Sequence, residues 1–213
     1  RIDYDRCVSC GQCLVSCPFG AIVDKSQIFQ VVRSIAEGNA VVAIVAPSFV
    51  GQFGKNVTVP KFVAAMKQLG FSDVVEVAAG ADVCAIEEAR DFVEKVPAQQ
   101  KFLATSCCPS WRMMARRLFP DESGNISMTY TPMIYTARLV KHTHPGSKVV
   151  FIGPCAAKKL EAMQQELRSD VDFVLTYEEL MGIFEAKAID FSQLPDTDDL
   201  HDASGLGRGF AAA

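Results

Sequence analysis

The chain alternates between two hydrophobic patterns. Residues 28, 31, 32 and 35 are apolar at helical spacing from Ser26, and Gly38 supplies a stop. Residues 41–45, VVAIV, form an unbroken apolar run, the mark of a strand buried on both faces of a parallel sheet. The same alternation predicts helices over 60–69, with Pro60 in the first turn, and over 80–95, 109–118, 131–141, 156–167 and 177–185. It predicts further strands over 72–77, 102–104, 149–152 and 172–175. Thr131 followed by Pro132 reads as an N-cap with proline at the first helical position. Thr176 and Glu179 read as a capping box. Beyond Phe191 the pattern becomes loop-like, and the acidic stretch 196–199 reads as solvated. The expected class is α/β, a parallel sheet flanked by helices.

In such sheets, sites collect beyond the carboxyl ends of strands. Ala46, Pro47 and Ser48 follow the first predicted strand, Cys107 and Cys108 the third, and Cys155 the fourth. Three cysteines are therefore expected on one edge of the sheet.

Composition narrows the function classes. The net charge is -4 across 213 residues, which gives no electrostatic case for nucleic acid or an anionic membrane. No apolar run reaches the ~18 residues of a spanning helix, and no signal peptide is visible, so a cytoplasmic location is expected. Four of the eight cysteines, Cys7, Cys10, Cys13 and Cys17, lie close together before Pro18 with the spacing C-x2-C-x2-C-x3-C-P. That spacing in a reducing compartment predicts an iron–sulfur cluster in residues 1–24, with zinc as the weaker alternative. Gly11 relieves the backbone where it wraps the cluster. In two-cluster ferredoxins the fourth cysteine of such a run serves the other cluster. One run therefore means a single cluster or a preceding run outside the sequence, and the start at Arg1 favours the second.

Three segments carry a family resemblance. TSCCPSW at 105–111 and GPCAAKKLEA at 153–162 resemble the first two signature segments of iron-only ([FeFe]) hydrogenases. DYDRCVSCGQCLVSCPFGAI at 3–22 resembles the second half of that family's ferredoxin-like [4Fe-4S] module. The resemblance implies that residues 25–213 are the N-terminal portion of the catalytic domain, which binds the H-cluster, a cubane joined to a diiron unit with CO and cyanide ligands. It implies cubane ligation by Cys108 and Cys155, and proton relay by Cys107, a thiol near its pKa beside the diiron unit. It further implies a hydrogen bond from Lys158 to a cyanide, with Glu161 completing the motif, and a pocket wall from Ala46, Pro47 and Ser48. Glu88, Asp91 and Ser127 fall where the family places its proton path, with Lys95 roughly at an outer arginine position. Asp91 is shorter than the usual Glu, leaving a gap for water. The implied activity is reversible proton reduction to hydrogen. The implied partners are a ferredoxin or other redox protein and dedicated maturation proteins.

Two departures matter. Gly153 stands where the family usually has Met, so open space or water is expected over the diiron unit. The family's third signature segment is absent, so the expectation is a piece of a longer protein or of a split enzyme, with the remaining segment as a partner. A scaffold for cluster assembly, a hydrogen sensor and a plain electron carrier are the alternatives. Scaffold and sensory relatives tend to alter the relay cysteine, so Cys107 favours an enzyme. Outside these motifs, Cys84 reads as a buried structural thiol and Trp111 as a packing anchor. His142 and His144 read as loop residues without a metal role. Met113, Met114, Met128 and Met133 read mostly as core, Met133 lying near the site.

Overall fold

The computed structural model describes residues 2–196, 200 and 203–209. Its centre is a four-stranded parallel sheet of β1 (Val41–Val45), β2 (Asp73–Glu76), β3 (Lys148–Gly153) and β4 (Phe173–Thr176), in the order β2-β1-β3-β4. All five residues of β1 are fully buried, as an unbroken apolar run between two sheet neighbours requires. Ile44 pairs with Val75 on one side and Phe151 on the other.

The helices are α1 (Gln12–Val15), α2 (Ile28–Ala36), α3 (Val59–Leu69), α4 (Ala78–Lys95), α5 (Pro109–Leu118), α6 (Pro132–Thr143), α7 (Ala157–Ala162), α8 (Tyr177–Ala186) and α9 (Gly205–Gly209). Because side chains alternate across a strand, each face of β1 builds its own core. Val41, Ala43 and Val45 meet Phe62 and Met66 of α3 and Leu180 and Phe184 of α8. Val42 and Ile44 meet Met133, Ile134 and Ala137 of α6. The capping box forms as expected, Thr176 Oγ1 accepting from Glu179 N and Glu179 Oε2 from Thr176 N.

Several expectations change. Residues 102–104 are not a sheet strand; Ala104 makes a single parallel bridge to Ile126. Three apolar residues without neighbouring pairs cannot sustain a ladder. The helix expected over 156–167 ends at Ala162, and turns carry the chain on so that Leu167 and Val171 enter the core. Met114 and Met128 are exposed, leaving Met133 as the buried one of the four. The loop-like tail contains a 3-10 turn at Phe191–Gln193 and α9. Glycine-rich α9 forms because Asp82 of α4 accepts hydrogen bonds from Ser204 N, Ser204 Oγ and Gly207 N. Gly207 is required there, since a Cβ would stand 2.1 Å from the Ala78 carbonyl oxygen. Of the acidic stretch 196–199, residues 197–199 lie outside the described residues.

Candidate functional site

An apolar cavity of about 260 Å³ opens at the carboxyl ends of β1 and β3. Ala46, Pro47 and Ser48 leave β1 to form one wall; Cys155 and Lys158 follow β3 and form another. Cys107, Cys108 and Pro109 close a third side. Since 102–104 is no strand, Cys107 and Cys108 are placed by other means. Ala104 N donates to Asn125 O and Ser127 N to Ala104 O, both at 2.8 Å, and Ser106 Oγ donates to Ser127 O at 2.9 Å. Cys108 is then the N-cap of α5, its Sγ accepting from Trp111 N at 3.5 Å. Trp111 itself is half-buried and lies outside the cavity lining.

The cation is held from below. Lys158 Nζ donates to the Cys107 carbonyl at 2.8 Å and to Glu161 Oε2 at 2.7 Å. Glu161 Oε1 accepts from the Thr131 hydroxyl at 2.6 Å. Thr131 occupies the N-cap position of α6 but makes no side-chain cap bond. Its hydroxyl instead satisfies a carboxylate that is 3% exposed. The sequence hid this role behind an ordinary capping signal.

Tyr177 fixes the opposite wall. Its hydroxyl donates to the Ala46 carbonyl at 3.0 Å and shares a hydrogen bond with Ser48 Oγ at 2.8 Å. Burial pushes its pKa up to about 12, against a smaller lowering by Ser48.

Cys107 is half-buried. Burial raises its pKa, and the nearby Lys158 ammonium offsets only part of that rise. On α4, Glu88 is buried and hydrogen-bonded to the Ser127 side chain and Ser106 backbone. Burial still raises its pKa. Asp91, one turn on, pairs with Lys95 at 2.9 Å rather than reaching Glu88. Glu88 thus lies between Ser127, its hydrogen-bond partner, and the neighbouring Cys107, while Asp91 pairs with Lys95 on the next turn. Cys84 is buried as expected, with its pKa pushed up to about 12 by burial first and by Glu88 second. His144 packs against Asp73, its Nε2 lying 3.4 Å from Oδ2.

The space above Gly153 is not open. A Cβ there would stand 2.6 Å from Phe151 Cζ and 3.3 Å from Ala46 Cβ. Residues 151 and 153 share one face of β3. The Phe151 ring leans over the glycine and lines the cavity, taking the room that the sequence assigned to water or space.

The four-cysteine segment wraps α1. Gly11 is its N-cap at φ 83°, a conformation that favours glycine. Cys7 Sγ accepts from Ser9 N and Cys17 Sγ from Ala21 N, each at 3.4 Å. The backbone bond from Ala21, followed by those from Phe19, Ile22 and Gly20, lowers the Cys17 pKa. Among the described residues, no three His, Cys, Asp or Glu side chains converge as a metal-holding group. The donor set is nevertheless suited to iron: soft thiols on a tight loop, with amides directed at sulfur. The apolar cavity likewise suits an anionic group bearing small ligands, because it combines thiols with a partly buried ammonium. No helix of the described residues is long and apolar enough to cross a membrane.

Comparison with known proteins agrees with this arrangement. Residues 39–213 match the model of the iron only hydrogenase large subunit, C-terminal domain, and residues 1–23 match a 4Fe-4S binding domain. The chain is 32% identical to the NADP-reducing hydrogenase subunit HndD of Solidesulfovibrio fructosivorans, over 90% of this chain and 37% of that protein. It is 33% identical to the cytosolic Fe-S cluster assembly factor NAR1 of Phaeosphaeria nodorum, over 52% of this chain and 20% of that one. The apo [FeFe]-hydrogenase HydA1 from Chlamydomonas reinhardtii shares the fold, with a TM-score of 0.71 at 22% identity over 86% of this chain and 52% of that one. The chain therefore spans well under two thirds of the length of these relatives.

Proposed function

We propose that this chain, which belongs to the iron-only hydrogenase large-subunit family, forms part of an enzyme that interconverts protons and hydrogen. The observation that carries the reading is the meeting of Cys107, Cys108, Cys155 and Lys158 around one apolar cavity.

In this reading Cys108 and Cys155 hold the cubane of an H-cluster. When bound, that group supplies the metal centre at which protons and electrons combine. Lys158 orients an anionic ligand by a charge-assisted hydrogen bond, and Glu161 and Thr131 hold the ammonium in place. Ala46, Pro47, Ser48 and Phe151 exclude water from the cavity. Cys107 carries the proton at its Sγ. Its raised pKa keeps that proton on sulfur until a stronger base takes it, and Glu88 with Ser127 connects it outward. Asp91 and Lys95 form the solvent end of this path. Cys7, Cys10 and Cys13 would hold a [4Fe-4S] cluster, with Cys17 serving it or a second one, and that group would supply the electron route from a ferredoxin or similar carrier in the cytoplasm. Maturation proteins deliver the diiron unit.

The test is hydrogen evolution from a reduced dye by the whole protein after anaerobic maturation. Turnover that Cys107→Ser removes supports the reading; absence of turnover from matured wild type refutes it. A second reading, a cluster-assembly scaffold, is favoured by the similarity to NAR1. It leaves a proton-bearing thiol beside Lys158 without a task.

A further inference from the structure

The signature segment of α7 carries two adjacent lysines that face different ways. Lys158 turns toward the cavity. Lys159, 7% exposed, turns toward the four-cysteine module. Its Nζ lies 2.6 Å from Asp24 Oδ2, at the end of that module, and 2.9 Å from both carboxylate oxygens of Glu179 on α8. It also donates to the Lys25 carbonyl at 3.3 Å. Asp24 Oδ2 is buried, and the Lys159 ammonium at 2.6 Å compensates its charge.

The ion trio adjoins the cysteine loop. Cys10, Asp24, Ala156 and Glu179 line one cavity of about 590 Å³ between the module and the catalytic domain. Across it, a Cβ on Gly11 would stand 3.8 Å from the Cβ of Ala156, the residue after Cys155. The next residues of the linker are anchored too, since Gln27 Oε1 accepts from Val174 N of β4 at 2.7 Å.

We propose that Lys159 is an electrostatic latch: it pins the four-cysteine module to the catalytic domain at Asp24 and its charge sets the potential of the cluster held there. The second half rests on the reading of Cys7, Cys10, Cys13 and Cys17 as cluster ligands. Charges at a partly buried junction are screened less than fully exposed ones, so adding or removing one changes how readily a neighbouring cluster accepts an electron. Lys159 touches no reacting atom and is a positioning residue.

Two measurements on the anaerobically reconstituted protein test it: a reductive titration of the cluster signal followed by electron paramagnetic resonance, and tryptic cleavage at the Lys25–Ser26 bond mapped by mass spectrometry. Lys159→Met removes a positive charge and should make the cluster harder to reduce. Asp24→Asn removes a negative charge and should make it easier. The opposite signs separate electrostatics from loosening, which would move both variants the same way. A tenfold change in the reduction equilibrium corresponds to about 59 mV for a one-electron couple. Lys159→Met should also be cut at Lys25–Ser26 at least tenfold faster, whereas Lys159→Arg should keep wild-type cleavage and potential.

Unchanged potentials in both charge variants, or shifts of the same sign, overturn the electrostatic half. Unchanged cleavage in Lys159→Met overturns the latch. If Lys159→Met does not load a cluster, Asp24→Asn decides the potential alone. A wild type without any cluster signal defeats the ligand reading and the potential claim resting on it, while the cleavage comparison still decides the latch.

Discussion

Phe151 occupies the place that a side chain at Gly153 would need, its Cζ only 2.6 Å from where the Cβ would be. The ring is 3% exposed and packs between β1 and α6, so it cannot simply swing aside. Gly153→Ala should therefore destabilise the protein by about 2 kcal/mol, within the usual range for overpacking. Phe151→Leu should make the alanine tolerable, giving a double variant less destabilised than the sum of the singles. Urea unfolding of the four proteins measures this. Strict additivity would show that the ring and the glycine are independent.

Thr131→Val should test the support beneath Lys158. The substitution removes the hydroxyl bonded to Glu161 Oε1 while keeping the shape of the side chain. A buried carboxylate losing a donor should cost about 2 kcal/mol. In urea, Thr131→Ser should retain most of the wild-type stability. Equal losses in both variants would mean that packing of the methyl group matters more than the hydrogen bond.

Asp172 gives the fold a defined acid sensitivity. Burial works to raise its pKa, but hydrogen bonds from Lys141, the Val149 backbone and Lys148 together outweigh it, leaving the carboxyl below its ordinary value. A lowered folded pKa means that the stabilisation is present above the unfolded value of about 3.9 and is lost as pH falls through the folded one. Asp172→Asn should cost about 2 kcal/mol at neutral pH. It should also flatten the decline in stability below about pH 4. Thermal unfolding across pH checks both, and an unaltered acid slope would remove Asp172 from the account.

Tyr177→Phe should loosen the wall formed by Ala46 and Ser48. The loss removes one of two donors to the half-buried Ala46 carbonyl and should cost about 1 kcal/mol. Hydrogen exchange should rise at Phe49, whose amide bonds to the same Ala46 carbonyl. Unchanged exchange there would mean that the wall is held by packing alone.

The sequence reveals an element wherever burial alone determines the pattern. β1 is legible because both its faces are covered, so all five positions must be apolar. The segment 102–104 has a similar short run but only one backbone partner, and no local pattern distinguishes the two cases. The capping box at Thr176 is legible because its partners lie three residues apart; Thr131 is not, because its partner is thirty residues away. The cysteines and Lys158 stand out by spacing. Phe151 and Tyr177 do not, since their roles follow from strand register and side-chain direction. The two lysines at 158 and 159 are adjacent letters, and only the helix separates their tasks.

The central claim is that the cavity beside Cys107, Cys108, Cys155 and Lys158 receives a CO- and cyanide-ligated diiron unit. Infrared spectroscopy of the whole protein, matured and kept anaerobic, tests it most directly. The account predicts absorption bands of metal-bound CO and cyanide, retained in Cys107→Ser while hydrogen turnover is lost. Absence of such bands after maturation, with cluster iron still bound, would contradict it and leave the scaffold reading in its place.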